Sequence, residues 1–216
     1  IQSIEKFLRK EQLFAFLKNK PVMILEGDYH FKNRSFFTSM FGKKKLPIAV
    51  DNDFINYKID RQYVPSRKAI FTTRSDRNLD FLIKCWSSIV IESDNSCLYI
   101  NPPSNLKDEH TKLGIRLRKK GNKFDLINEL ASSRVMLNPG HKGEVYCLAA
   151  EEARELCVPI VTLGIGSLSE RVDHGITGFI AKNAKEFIDY TIKILNDDEL
   201  YLSLRNNLMK KRNIRS

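Results

Sequence analysis

Two glutamates with seven residues between them, Glu144 and Glu152, are the side chains of this sequence best suited to chemistry. Apolar residues between and after them recur at helical spacing and predict a short helix. A helix begins with free backbone amides and the positive end of its dipole, which together attract phosphate. We expect those amides around Tyr146, Cys147 and Leu148. Glu144 would precede this phosphate site, and Glu152 would lie about two turns into the helix, roughly 12 Å from Glu144 along its axis.

Ionised carboxylates on both sides of a phosphate site would accept hydrogen bonds from hydroxyl groups. A nucleotide sugar has a matching shape, because its diphosphate separates two rings that carry hydroxyls. An ordinary structural interpretation exists as well: the dipole favours Glu144 near a helix start, and Glu152 is exposed on a charged helix. The spacing alone favours this second interpretation.

The flanking residues place the two glutamates in one strand–helix–strand step. Residues 134–138 form a short apolar strand, and Pro139 and Gly140 interrupt the chain directly after it. Pro159 ends the helix and opens the next apolar strand. The helix start, and the phosphate site with it, therefore follows the carboxyl end of a strand.

The whole run resembles the C-terminal domain of GT-B glycosyltransferases, especially the retaining group called glycosyltransferase family 4. The features of that domain are the two glutamates, a small-residue helix, a strand entry of the Gly-x-Pro type, and a glycine-rich turn that ends in Glu and Gly-x-x-Gly. They correspond here to Glu144, Glu152, residues 153–162, residues 164–170 and residues 174–178. Cys157 departs from the family, which has Gly at this position.

This resemblance implies roles for the motif. Glu144 would be the catalytic carboxylate that contacts the transferred sugar or its phosphate, and Glu152 would bind the ribose hydroxyls. The amides near Cys147 and Leu148 would hold the diphosphate. His141 lies in the loop before Glu144 and could hydrogen-bond a sugar hydroxyl or the acceptor, although a plain exposed histidine is an equal alternative.

A second strand, turn and helix lie upstream, between residues 69 and 89. The turn contains Arg74 and Arg77, whose guanidinium groups suit bidentate phosphate binding. The family turn is similar, with Gly where this sequence has Asn78. We expect both arginines to neutralise the diphosphate leaving group, as a metal ion does in other glycosyltransferases. For Arg77 the structural alternative is a surface ion pair with a neighbouring aspartate.

Between these two motifs, residues 114–121 form a basic turn after a further strand at residues 97–101. The resemblance places the nucleotide base beside this turn, near Arg118 and Lys119. A solvated basic loop is an equal alternative, since most such runs are of that kind. Nothing in the sequence identifies the base.

Strands and helices alternate from about residue 69 to residue 180, which predicts the α/β class. We expect a Rossmann-like, doubly wound parallel sheet with helices on both faces, as in the C-terminal half of a GT-B fold. Ligands of such sheets bind at the carboxyl ends of the strands, where both motifs fall. Residues 61–216 would form the nucleotide-sugar-binding domain, and residues 1–60 would be the remnant of an acceptor domain or its linker.

Composition limits the partners. The formal net charge of +10 suits phosphate ligands, anionic lipid surfaces or nucleic acid. Nucleic acid ranks last, because aromatic residues are not interleaved with basic ones. The four cysteines lack Cys-x-x-Cys spacing and the four histidines lack metal-ligand spacing, so we expect reduced thiols, a cytoplasmic protein and no metal. The basic C-terminal tail suggests peripheral membrane contact.

The sequence therefore predicts a glycosyltransferase, retaining by the resemblance, that transfers sugar from a nucleotide-diphosphate sugar to a glycan or lipid-linked acceptor. The nucleotide sugar is a substrate, and no cofactor is expected. Because 216 residues suit one of two GT-B domains, donor binding is a firmer expectation than turnover. The main alternative is a non-catalytic GT-B-like binding or scaffold module. A sugar-nucleotide epimerase of GT-B fold ranks lower, because its glycine loop differs.

Overall fold

The computed structural model describes residues 10–33, 40–102, 107–119 and 121–215. The described residues in the first part of the chain form three helices and a small two-stranded sheet. These elements are α1 (Lys10–Asn19), β1 (Met23–Leu25), α2 (Asp28–Lys32), β2 (Lys43–Lys45) and α3 (Asn52–Ile55). Strands β1 and β2 pair in parallel.

The main body is built on a six-stranded sheet in which all strands run parallel. Its strands are β3 (Lys68–Phe71), β4 (Cys97–Ile100), β5 (Ile115–Leu117), β6 (Val135–Leu137), β7 (Ile160–Thr162) and β8 (Gly178–Ile180). The strand order is β5-β4-β3-β6-β7-β8, so the order reverses between β3 and β6. Such a reversal opens a crevice at the carboxyl ends of the two strands. The predicted Rossmann-like sheet is confirmed.

Helices cover both faces of this sheet. They are α4 (Leu79–Glu92), α5 (Asp108–Lys112), α6 (Lys123–Ala131), α7 (Leu148–Glu155), α8 (Ala184–Asn196) and α9 (Asp198–Arg215), with a 3-10 helix at Gly166–Glu170. Within β3, Ala69 and Phe71 pack in one core with α4 and α8, whereas Ile70 packs in a second core with α6 and α7. Both faces of the strand are buried, which explains why its sequence is continuously apolar.

Helix α7 begins later than the sequence suggested. Its first residue is Leu148, and Cys147 precedes it as the N-cap with φ of +61°. Tyr146, near which we placed the helix start, lies outside the helix. Cys157, the residue that departs from the family glycine, also has positive φ, at +56°. Both cysteines therefore occupy the left-handed region that glycine adopts without strain.

Part of the N-terminal segment packs on the main body. Phe54 of α3 is 2% exposed and belongs to the core that contains α6 and α7. Arg212 of α9 donates to the carbonyl oxygens of Phe54, Ile55 and Tyr57. The predicted domain boundary at residue 60 thus remains a prediction, and residues 54–57 have their contacts on the C-terminal side of it.

Candidate functional site

Asparagines follow two central strands of the sheet and organise their carboxyl ends. Asn101, after β4, donates through Nδ2 to the carbonyl oxygens of Thr72 and Thr73, at 2.8 Å each. Asn138, after β6, accepts from the Gly140 amide at 3.1 Å and donates to Sγ of Cys147 at 3.4 Å. The loops after β3 and β6 are thereby fixed at the crevice.

A cavity of about 510 Å³ opens beside the carboxyl ends of β3 and β4. Glu152 of α7 and Arg118 after β5 both line it. The remaining lining residues include Asp51, Phe54, Thr72, Asn101, Pro102 and Lys119. The structure therefore brings together the residue predicted for the ribose and the residue predicted for the base.

The Arg118 guanidinium is held on two sides. Its Nε and Nη2 donate to Oε2 of Glu129 at 2.9 and 2.6 Å, and its Nη1 donates to Oδ1 of Asn101. Only 11% of the arginine side chain is exposed. Arg118 is thus part of a cavity wall and not a solvated loop residue.

Glu152 is a partly buried carboxylate with a raised pKa. Its pKa is raised to about 6, mainly because the carboxylate is buried; the charge of Arg118 lowers the pKa, and the charge of Asp51 adds a smaller increase. In addition, the hydroxyl oxygen of Thr72, which lines the same cavity, is buried with no hydrogen-bond partner among the described residues. The cavity therefore offers a carboxylate and an unpaired hydroxyl to a ligand.

A second group of predicted residues meets between the loops after β3 and β6. Nη1 of Arg77 lies 2.6 Å from Nδ1 of His141, and the amide of Gly143 donates to the same nitrogen at 3.0 Å. Nδ1 accepts both bonds, so this bond pattern assigns the imidazole proton to Nε2. Asn78, at the start of α4, also donates to the carbonyl oxygen of Gly140. Arg77 is therefore tied to the loop that carries Glu144.

Arg74 is not part of this group. Its side chain is 75% exposed and forms an ion pair with Asp76, with Nε 3.1 Å from Oδ1. Asp76 lies 3.9 Å from Nε of Arg77, so the surface pair considered for Arg77 is only a loose contact. Of the two arginines predicted to bind diphosphate, the structure brings only Arg77 to the loop before α7.

Glu144 lies beside the start of α7, outside the lining of the 510 Å³ cavity. Its Oε2 atom is buried without a hydrogen-bond partner among the described residues. Burial, the charge of Glu144 and a hydrogen bond that the thiol donates to Glu144 hold the pKa of the Cys147 thiol well above its usual range. Cys147 is thus a neutral, buried neighbour of the carboxylate. Leu148, the first residue of α7, is 39% exposed, as an accessible helix start requires.

The Tyr146 side chain turns away from both groups. Its hydroxyl donates to the carbonyl oxygen of Ile48 at 2.6 Å, and the guanidinium of Arg171 lies 4.3 Å from its ring centre. Any contact of Tyr146 with a bound nucleotide sugar would therefore involve its backbone amide.

Sequence reasoning missed several residues that hold the site together. Asn101 and Asn138 had a usable signal, since each is a polar residue directly after an apolar strand. Glu129 and Arg171 had none, because their partners are distant in sequence. Groups of three or more His, Cys, Asp or Glu side chains suited to a metal ion are absent from the described part of the chain. Among the same residues, no helix is long and apolar enough to cross a membrane.

Known structures share this fold. TarM from S. aureus, a mutant form in complex with fondaparinux, alpha-GlcNAc-glycerol and UDP, matches 98% of this chain with a TM-score of 0.70 and 15% identity. HepE from Anabaena, in complex with UDP-glucose, matches 98% with a TM-score of 0.69 and 11% identity. A C-terminal domain of a glycosyl transferase group 1 family protein from Francisella tularensis matches 77% with a TM-score of 0.59 and 14% identity.

The extents of these matches differ. The chain covers 46% of TarM and 65% of HepE, but 98% of the Francisella domain. This chain thus spans about half the length of the TarM protein that it resembles. Among curated protein sequences, none matches it significantly.

A sequence model of one protein family, described as glycosyl transferases group 1, matches residues 74–211. The match begins at the turn between β3 and α4 and ends within α9, so it includes Arg77, Arg118, Glu144 and Glu152. The chain belongs to the group 1 glycosyl transferase family.

Proposed function

We propose that this chain is the donor-binding half of a retaining glycosyltransferase that transfers a sugar from a nucleotide-diphosphate sugar to a glycan or lipid-linked acceptor. One observation carries the proposal: Glu152 and Arg118 share a cavity at the carboxyl ends of the strands, and α7 leads from that cavity back to Glu144. The ligands named for the neighbouring structures, UDP and UDP-glucose, are donors or products of this kind.

The residues suggest an arrangement for the donor. The nucleoside would occupy the cavity, where ionised Glu152 accepts hydrogen bonds from the ribose hydroxyls and Arg118 lies beside the base. The diphosphate would lie at the start of α7, near the Leu148 amide, where the helix dipole favours negative charge. Arg77 would stabilise the charge that develops on the leaving group.

The transferred sugar would then lie against the loop before α7. Glu144 has a buried oxygen atom without a partner among the described residues, and a sugar hydroxyl can donate to it. His141 would present its Nε2 proton to the same sugar or to the acceptor. Retention of the anomeric configuration and metal independence are parts of this proposal that the resemblance to glycosyltransferase family 4 supports.

The N-terminal segment fits a remnant of an acceptor domain or its linker. A parallel pair of short strands is marginally stable by itself, and parallel sheets are normally covered on both faces. Yet the segment exposes large apolar side chains: Phe14, Leu17, Val22, Ile24 and Met40. The greater length of TarM supports the same interpretation, since additional residues could cover this surface.

Peripheral contact with an anionic membrane, and with it a cytoplasmic location, is a separate part of the proposal. It is motivated by the charge of +10, although two residues of the basic tail already have internal partners. Lys211 pairs with Asp173, and Arg212 binds carbonyl oxygens near α3. Cosedimentation with vesicles that contain phosphatidylglycerol, at low and high salt, tests this contact. Absence of binding at low salt would contradict it.

Calorimetry and thermal shift with ADP-, GDP- and UDP-glucose test the donor proposal directly. We expect one of them to bind and to raise the unfolding temperature, because a ligand that binds only the folded state stabilises it. Glu152→Ala should weaken that binding at least about tenfold. Glu92→Ala, which removes an exposed glutamate at the end of α4, is the matched control. If none of the three nucleotide sugars binds the wild-type chain, the donor proposal fails.

The non-catalytic binding module remains the second candidate, because the chain spans about half of TarM. Release of glucose from the bound nucleotide sugar, measured with and without glycan acceptors, distinguishes the two. Binding without any transfer or hydrolysis would favour the module.

A further inference from the structure

Arg171 is a buried arginine that lies directly after the 3-10 helix and contacts the loop before α7. Only 9% of it is exposed. Its Nε donates to the carbonyl oxygen of Tyr146 at 2.9 Å and lies 3.1 Å from Oε1 of Glu151. Its guanidinium carbon stacks 4.3 Å from the centre of the Tyr146 ring. The Arg171 side chain thus contacts the loop at the backbone and the aromatic ring of Tyr146, and it contacts α7 at Glu151.

The 3-10 helix before Arg171 holds the loop at a second point, Glu144. The amide of Ser167 donates to the carbonyl oxygen of Glu144 at 3.0 Å. Gly166 has a φ of +74°, and a Cβ atom there would lie 2.9 Å from that carbonyl oxygen. The carbonyl groups of Glu144 and Tyr146, which lie two residues apart in the loop, are therefore both anchored by residues 166–171.

Glu151 connects this anchor to the helix. It lies in the first turn of α7, is 6% exposed, accepts from Nη1 of Arg154 at 3.0 and 2.9 Å, and forms an ion pair with Arg171. Arg171 consequently joins the loop that carries Glu144 to the helix whose first amides would hold the diphosphate.

We infer that Arg171 is a positioning residue: it fixes the Glu144–Tyr146 loop against the first turn of α7, so that the Glu144 carboxylate and the helix amides keep one mutual orientation. This inference rests on the proposed donor binding. A lysine at position 171 would keep the charge beside Glu151, but it lacks the planar fork that donates to a carbonyl, pairs with a carboxylate and stacks on a ring together.

Arg171→Lys is therefore the test variant, and Arg205→Lys is its matched control. Arg205 is also a buried arginine, 3% exposed, that donates to a backbone carbonyl, that of Asp60, and lies 5.9 Å from a tyrosine ring. Its partners lie on α9 and at residue 60, away from the loop. Both substitutions should lower the unfolding temperature, so this measurement alone decides nothing.

The deciding measurement compares two ligands by calorimetry: whichever of ADP-, GDP- and UDP-glucose binds the wild-type chain best, and its nucleoside 5′-monophosphate. The monophosphate lacks the sugar end that reaches Glu144. We expect Arg171→Lys to weaken binding of the nucleotide sugar about tenfold and binding of the monophosphate much less. Arg205→Lys should change neither affinity. Equal losses for the two ligands in Arg171→Lys, or no loss for either, would overturn the inference.

Hydrogen exchange on the unliganded full chain separates this inference from the proposed function. Amides of residues 142–147 should exchange faster in Arg171→Lys than in the wild type and in Arg205→Lys, because a lost anchor lets the loop open locally. Unchanged exchange there would overturn the positioning role whether or not a nucleotide binds. Failure of the wild type to bind any of the three nucleotide sugars, with faster exchange in Arg171→Lys, would instead refute the donor proposal and leave the anchor demonstrated.

Discussion

At the scale of single residues, Glu152 is the carboxylate whose surroundings say most about its use. Its pKa is raised to about 6, mainly by burial, while the charge of Arg118 lowers it and the charge of Asp51 adds a smaller increase. Folding therefore places a partly desolvated negative charge in the cavity above pH 6. Removing this charge from water costs free energy, which a glutamate on an exposed helix surface would not lose. A ribose that donates two hydroxyl hydrogen bonds to the carboxylate would compensate for that cost.

The first prediction concerns the pH dependence of donor binding. The ionised form of Glu152 accepts charge-assisted hydrogen bonds with both oxygen atoms, so affinity for the nucleotide sugar should fall as pH decreases through about 6. Calorimetry between pH 5 and pH 8 measures this. Glu152→Gln should bind more weakly at pH 8 and should lose the dependence near pH 6. Persistence of that dependence in the glutamine variant would assign the titration to another group.

The same substitution should stabilise the unliganded protein, which is the second prediction. The pKa of Glu152 is raised from an ordinary 4.5 to about 6 in the folded chain, so the unfolded chain releases this proton first. The destabilisation by its charge develops as pH rises from 4.5 to 6 and is fully present above that window. Glu152→Gln should therefore unfold at a higher temperature than the wild type at pH 8 and gain little at pH 4.5. An equal gain at both values would exclude this electrostatic origin.

The two arginines after β3 allow a third prediction. Arg77 is held at the loop of Glu144 by His141, whereas Arg74 is mostly exposed and pairs with Asp76. Arg77→Ala should weaken nucleotide-sugar binding at least about tenfold, because it removes a charge-assisted phosphate contact. Arg74→Ala should change it less than about twofold, since exposed ion pairs contribute little. Competition with inorganic pyrophosphate measures the same contrast for the diphosphate alone. Equal effects of the two substitutions would contradict the geometry.

At the scale of elements, the loop between β6 and α7 lies on the 3-10 helix of residues 166–170. A Cβ atom at Gly166 would lie 2.9 Å from the carbonyl oxygen of Glu144, so the loop leaves no space for a side chain there. The loop has a left-handed residue, Cys147, at its end, and Asn138 holds that residue through its thiol. The position of Glu144 is consequently determined by backbone packing more than by its own sequence neighbours.

A pair of glycines tests this packing. Gly166 and Gly175 have nearly equal φ values, +74° and +75°, but a Cβ atom at Gly175 would meet nothing within 4 Å. Alanine should cost about 1 kcal/mol at either position through backbone strain. Gly166→Ala should lose about 2 kcal/mol more through collision with the loop and should also weaken nucleotide-sugar binding. Denaturant unfolding and calorimetry measure both effects. Equal losses of stability would show that the loop can move aside.

At the scale of the whole molecule, hydrogen bonds join the described N-terminal residues to the body built on the parallel sheet. Tyr29 donates from its hydroxyl to the carbonyl oxygen of Lys142 at 2.9 Å, and Tyr146 donates to that of Ile48. Strands β1 and β2 pair only with each other among the described residues. Residues 50–57, by contrast, pack against α6 and α7. We therefore expect the stable body of the molecule to begin before residue 60.

Truncation tests where that body begins. A chain of residues 47–216 should retain most of the stability of the full chain, because it keeps Phe54 and the carbonyl groups that bind Arg212. A chain of residues 61–216 should lose about 4 kcal/mol or more, comparable to Phe54→Ala in the full chain. Denaturant unfolding followed by circular dichroism measures all four proteins. Equal stability of the two truncated chains would favour the boundary at residue 60.

The sequence by itself determined the class of the fold and the order of its parts. Alternating apolar strands and amphipathic helices are local patterns, and the motif from Glu144 to Gly178 is contiguous, so both could be read without knowledge of distant contacts. The family follows from the same contiguous residues. The start of α7 was misplaced, because positive φ at Cys147 delays the helix and cysteine gives no sign of it.

Only the tertiary structure decided which charged residues meet. It separated Arg77 from Arg74, although they are three residues apart, and joined Arg118 to Glu129. It also placed Arg171 under the loop of Glu144. The physical reason is that side-chain pairing depends on distances that close only when the sheet is assembled, whereas strand and helix patterns depend on the periodicity of a single segment.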